Sequence, residues 1–142
     1  MRKERDVSMI VSTRGRYALR VMIDIAENSR GNYIAMKEVS KRQDISLKYM
    51  EKIMPVLVAQ KMVEGVHGKG GGYKLTRKPN EYTVGEILRL TEGDLAPVAC
   101  LECNAEKCNR KADCRTLPMW NELNKRICDY LDSVTLADLM KH

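Results

Sequence analysis

Two histidines, one tryptophan and no phenylalanine stand in this chain of 142 residues. The histidines, His67 and His142, are far apart in the sequence. No Ser/His/Asp or paired-carboxylate constellation accompanies them, so no catalytic site is expected. No stretch approaches the roughly 18 uninterrupted apolar residues of a membrane span. The opening Met-Arg-Lys-Glu-Arg-Asp is charged and leads into no apolar run, which argues against an export signal and for a cytoplasmic location. Phosphate-binding loops are missing as well. Gly68-Lys69-Gly70 has no Ser or Thr after the lysine, and Val63 stands where a leading glycine is needed. Tyr73 occupies the last position of a would-be G-x-G-x-x-G.

What is present is charge, unevenly placed. The formal net charge is +6, but residues 1–80 hold 17 Lys and Arg against 8 Asp and Glu, while residues 81–142 hold 8 against 11. A basic first half in a chain of pI near 9.1 points to a polyanion, with double-stranded DNA the leading partner. Apolar residues make up 44% of the chain, enough for one modest core.

Periodicity divides the chain into a flexible tail (1–8), a basic unit (9–80) and a C-terminal unit (81–142). Ala18, Val21, Met22, Ile25 and Ala26 recur at helical spacing, which predicts a helix from Tyr17 to Asn28. A short helix follows over 35–42, after a strand or turn at Tyr33-Ile34. Gln43-Asp44-Ile45 makes a tight connection, and Ser46 caps a third helix with an apolar stripe through Met50, Ile53, Met54, Leu57 and Val58. Pro55 lies inside it and predicts a bend. Residues 62–67 and 73–76 read as the strands of a hairpin with a glycine-rich tip. Thr83 and Glu86 have the spacing of a capping box for a helix that Gly93 ends. A cysteine-bearing loop over 95–115 leads into a last helix over 116–133.

The ordered series helix, turn, helix, hairpin predicts a mainly α winged helix-turn-helix with a small β-hairpin wing and a long C-terminal dimerisation helix. The third helix of such a unit enters the major groove by its N-terminal residues. Ser46, Lys48, Tyr49, Glu51 and Lys52 fall there. Glu51 has the chemistry to accept from cytosine and Lys48 to donate to guanine. The wing offers His67, Lys69, Gly70, Gly71 and Tyr73, and the start of the first helix adds Arg14 and Arg16.

Cys100, Cys103, Cys108 and Cys114 fall within 15 residues. Thiolates so spaced hold an iron–sulfur cluster or zinc, and a reversible disulfide is the further reading. Cys128, one position off the apolar stripe of the last helix, reads as a buried small residue. That stripe, Trp120, Leu123, Ile127, Leu131 and Val134, is narrow enough for the seam of a homodimer.

Several motifs in one order resemble the Rrf2 family of bacterial winged-helix regulators. They are Ser12-Thr13-Arg14-Gly15-Arg16-Tyr17-Ala18, Ile45-Ser46-Leu47-Lys48-Tyr49-Met50-Glu51, Gly68-Lys69-Gly70-Gly71-Gly72-Tyr73, Val84-Gly85-Glu86-Ile87, Glu92-Gly93, and Trp120 followed by Thr135-Leu136-Ala137-Asp138-Leu139. The resemblance implies a homodimer on a pseudo-palindromic operator in the bacterial nucleoid. It also implies an iron–sulfur cluster, 2Fe-2S ahead of 4Fe-4S, on Cys100, Cys108 and Cys114, with zinc the alternative metal. The fourth-ligand positions of IscR-like and NsrR-like members hold Leu117 and Arg16 here, which leaves Cys103 as the candidate fourth ligand, with Glu102 or Glu106 as substitutes. Within the same fold, a CymR-like repressor controlled by a partner protein or by thiol oxidation is the alternative. A zinc-ribbon interaction module is a more distant one.

Overall fold

The computed structural model describes residues 11–101 and 112–141. Helix α1 spans Thr13–Asn28, α2 Met36–Gln43 and α3 Leu47–Ala59. Strands β1 (Val63–Val66) and β2 (Gly72–Leu75) form an antiparallel hairpin in the register Val63↔Leu75 to Val66↔Gly72. Then come α4 (Val84–Glu92), α5 (Leu117–Ser133) and the short α6 (Leu136–Leu139). The expected mainly α architecture with a β-hairpin wing is the observed one.

The core lies where α1, α3 and α4 meet. Val21, Met22 and Ile25 from α1 pack with Ile53 and Leu57 from α3 and Ile87 from α4, all fully buried. Tyr82 is buried with them, and its hydroxyl donates to the Met62 carbonyl at 2.6 Å. That hydroxyl also accepts from the backbone N–H groups of Thr76 and Arg77, so the one polar atom of the residue is satisfied.

Three local expectations change and one holds. Helix α1 begins at Thr13, four residues before Tyr17, because Ser12 caps it by accepting from Gly15 N. Helix α3 continues through Pro55, as expected of a bend rather than a stop, with the proline on its exposed side. The capping box at Thr83 is half made. Thr83 accepts from Glu86 N, but the Glu86 carboxylate turns to Arg77 at 2.9 Å. Finally α6 had no predicted helix. Thr135 and Asp138 form its capping box, and Leu136 enters the core fully buried.

The flexible tail predicted at 1–8 lies outside the described residues. The hairpin is extended by Ile34, which exchanges hydrogen bonds with Tyr73 at 2.8 and 2.9 Å. That pairing turns the predicted strand or turn at Tyr33-Ile34 into a bridge holding the wing against the approach to α2.

Candidate nucleic-acid interface

Helix α3 sorts its side chains by face. Met50, Ile53, Met54 and Leu57 go to the core, while Lys48, Glu51 and Lys52 are exposed. The Ser46 hydroxyl accepts from Tyr49 N at 3.1 Å and satisfies an otherwise orphan donor of the first turn. Its proton is left to donate outward. Leu47, next to it, is 41% exposed, an apolar side chain at the start of a polar face.

The angle at which α3 is presented is fixed from behind. Asp24, fully buried on α1, accepts from Arg42 Nε at 3.0 Å, Arg42 Nη2 at 2.7 Å and Gln43 Nε2 at 2.9 Å. A buried carboxylate is tolerated only when so partnered. Its hydrogen bonds hold the Arg42 guanidinium proton above the ordinary arginine value. Arg20 donates to the Gln43 carbonyl and to Gln43 Oε1, and its guanidinium lies 5.1 Å from the Tyr17 ring. Tyr17 meets the Tyr49 ring edge-on, with centroids 5.2 Å apart. Tyr49 thus packs between α1 and α3, half-buried, rather than standing wholly on the outer face. Asp44, in the left-handed region at φ 53°, closes α2 just before the turn.

The wing carries an exposed, glycine-rich tip on a paired base. Glu64 and Lys74 pair across the strands at 3.3 Å, and Lys74 also lies 4.7 Å from the Tyr33 ring. Gly68 and Gly70 have φ of +96° and +78°, the region glycine enters without steric cost. His67, Lys69 and Gly70 are exposed at the tip, and Gly71 closes it by donating to the Gly68 carbonyl at 3.0 Å. Tyr73 sits lower, its ring against Gly65 and the core.

At the start of α1, Arg16 is exposed and donates to Thr13 Oγ1 at 3.1 Å. Arg14 is half-buried, and its Nε is enclosed with no hydrogen-bond partner among the described residues. The exposed cations Lys48, Lys52 and Lys69 are in no ion pair among the described residues. One chain therefore presents a capped helix, a glycine-tipped wing and unneutralised cations, the parts needed to meet a phosphate backbone and base edges.

The cysteine loop is described only at its two ends. Cys100 is exposed in a 3-10 turn over Ala99–Leu101, and Cys114 is half-buried with Sγ 3.5 Å from Thr116 Oγ1. Cys103, Cys108, Glu102 and Glu106 lie outside the described residues. No group of three metal-capable side chains occurs among the described residues. Two thiols bracketing residues 102–111 are the right donor chemistry for iron–sulfur or zinc. Leu117 opens α5 and supplies no donor atom.

Along α5, Trp120, Leu123, Ile127, Leu131 and Val134 are half-buried, and Met119 and Tyr130 are exposed. Cys128, expected in the core, is only partly buried, because α5 buries no residue within this chain. It donates to Asn124 Oδ1 at 3.7 Å. Sequence reasoning passed over Asp24, Arg20 and Leu47. Asp24 stands three residues after Val21, a core-facing spacing, and that was the available signal.

A family model described as an iron-dependent transcriptional regulator, Rrf2, matches residues 11–142. The HTH-type transcriptional regulator IscR of Vibrio campbellii is 33% identical over 139 residues, covering 94% of this chain and 78% of that protein. Two solved structures are similar. CymR, the global cysteine regulator of B. subtilis, superposes with a TM-score of 0.74 at 32% identity, covering 92% of this chain and 95% of that one. IscR of T. potens superposes with a TM-score of 0.72 at 32% identity, covering 92% and 85%.

Proposed function

Since this chain belongs to the Rrf2 family of transcriptional regulators, a family of DNA-binding proteins and not of enzymes, we propose that it works as a homodimer on a pseudo-palindromic operator. Its cysteine-bearing loop reports iron–sulfur or redox status in the cytoplasm. The observation that carries the DNA reading is the outward face of α3. Exposed Lys48, Glu51 and Lys52 follow the Ser46 cap, beside a wing that carries His67 and Lys69. Glu51 and Lys48 read base edges, and Arg14, Arg16, Lys52, Lys69 and the Gly70 amide meet phosphates, while Gly71, whose N–H is spent on Gly68, shapes the tip. Half-buried Tyr49 and Tyr73 contribute chiefly by setting the pose of α3 and the wing. The seam of Trp120, Leu123, Ile127, Leu131 and Val134 joins two copies and places two α3 helices on successive major grooves.

Cys100, Cys108 and Cys114, with Cys103 as fourth, are the residues to hold a cluster, which would supply an iron- and oxidant-sensitive link between the loop's two ends. The loop links the end of α4 to the start of α5, so a cluster held by it biases how those helices sit. The bias shifts the population competent to bind DNA. A second reading is favoured by the likeness to CymR. In it the same thiols respond to oxidation or to a partner protein, without a cluster.

The test is a footprint with anaerobically prepared protein on the region upstream of its own gene, with metal and sulfide analysis of the same sample. A protected palindrome supports the regulator reading, and no protection under any redox condition overturns it. Iron with sulfide supports the cluster, zinc at one per chain replaces it, and neither metal leaves the thiol reading.

A further inference from the structure

Helix α5 is tied to the winged helix at one end. Arg89 Nη1 and Nη2 donate to Asp132 Oδ1 and Oδ2 at 2.6 and 3.0 Å. Two nitrogens of a planar fork on two oxygens of one carboxylate fix direction as well as distance. Gly85 lies one turn before Arg89, and a Cβ there would collide with the same carboxylate. Just beyond, Val84 N donates to the Val134 carbonyl at 2.8 Å and Leu136 N to the Tyr82 carbonyl at 3.1 Å, with Thr83 and Thr135 in an antiparallel bridge. Residues 132–136 are therefore a fulcrum. The far end of α5, at Leu117, lies about 22 Å away along the helix axis at 1.5 Å per residue. Along its length α5 buries no side chain fully within this chain and meets the winged helix through α4, the helix that carries Arg89.

We propose that the Arg89–Asp132 clasp, seated on Gly85, sets the angle between the winged helix and α5, and thereby the half-site spacing the dimer reads. The inference rests on the dimeric-regulator reading above. Arg89 and Asp132 are positioning residues, and neither is assigned to DNA. An exposed ion pair contributes little to stability, so the consequence of losing it is geometric. A swing of about 10° at the fulcrum moves the far end by about 4 Å for a helix of this rise. That is close to one base-pair step of about 3.4 Å.

The experiment uses the full chain, prepared anaerobically. Wild-type protein selects a palindrome from a random duplex library, and the selected duplex is rebuilt with its centre one base pair shorter or longer. Wild type should lose about tenfold in affinity on either change, the size of a single wrong contact. Asp132→Asn should bind all three duplexes within about threefold of one another, well under 1 kcal/mol of discrimination, with dimer mass and melting temperature held. Arg89→Lys keeps the charge but loses the fork, and should flatten the preference equally. It decides the matter if Asp132→Asn fails to fold. Either folded variant keeping the wild-type spacing preference overturns the proposal. A wild-type chain that selects no palindrome overturns the regulator reading itself, a result distinguishable from any behaviour of the variants.

Discussion

Ala18, Val21, Met22, Ile25, Val39, Ile53 and Leu57, from the first three helices, are sealed from solvent, whereas α5, the longest helix, buries nothing. Both regions carry apolar side chains at helical spacing. The difference is that α1 to α4 close on one another, while α5 offers Trp120, Leu123, Ile127 and Leu131 as a half-covered stripe with Met119 and Tyr130 exposed beside it. The first region is stabilised from within. The second is left open, and it is the stretch that the proposed dimer would cover.

The contrast can be broken most directly in the sealed region. Leu57→Ala should cost about 3 kcal/mol, because a fully buried leucine leaves both lost transfer energy and a cavity. Urea denaturation reads it, and a loss under about 1 kcal/mol would mean that this region is not the closed core. Asp24→Asn comes next, at about 2 kcal/mol, since an uncharged amide cannot replace a carboxylate holding Arg42 and Gln43 together. Its loss should also weaken DNA binding, because the turn before α3 is no longer braced.

In the open region the expectation reverses. Ile127→Glu should change the urea midpoint of the winged helix little, yet halve the mass seen by sedimentation and weaken operator binding at least about tenfold. A variant that unfolds but stays dimeric would invert the comparison.

Much of this was legible where the signal is local. Ser46 as a cap, the 3–4 spacing through α3, and glycine at the hairpin tip are properties of a few adjacent residues. The start of α1 was not legible, because Thr13-Arg14-Gly15-Arg16 has no apolar period and Gly15 reads as a breaker. Its true partner is Glu92, 80 residues on from Ser12, which accepts from the Ser12 N–H and hydroxyl at 3.1 and 2.5 Å. Glu86 failed as a capping-box residue for the same kind of reason, since Arg77 competes for its carboxylate from across a loop. The DNA face was legible as a list of residue types. Its bracing by Asp24, Arg20 and Tyr17 was not, since those contacts join residues some 18 to 32 positions apart.

Two smaller predictions sharpen the junction between the regions. Glu92→Gln should cost about 0.5–1 kcal/mol, the worth of a weakened helix cap, read by thermal melting. The Arg89 guanidinium holds the Asp132 carboxyl below its ordinary value. The clasp therefore contributes fully above the unfolded carboxylate value near 3.9, and its contribution is lost as pH falls through the lowered folded value. Asp132 is largely solvated, so the effect is well under about 1 kcal/mol. Asp132→Asn should remove that acid limb of the stability profile and leave the neutral plateau almost unchanged.

Leu136 lies beyond α5, yet it is fully buried in the cluster built by α1, α3 and α4. Its backbone N–H is tied to Tyr82, just ahead of α4. The core built by α1, α3 and α4 is thus completed by a residue that the ribosome adds only after α5. A chain cut short before residue 136 should leave that place in the core empty, at a cost of about 3 kcal/mol for a buried leucine.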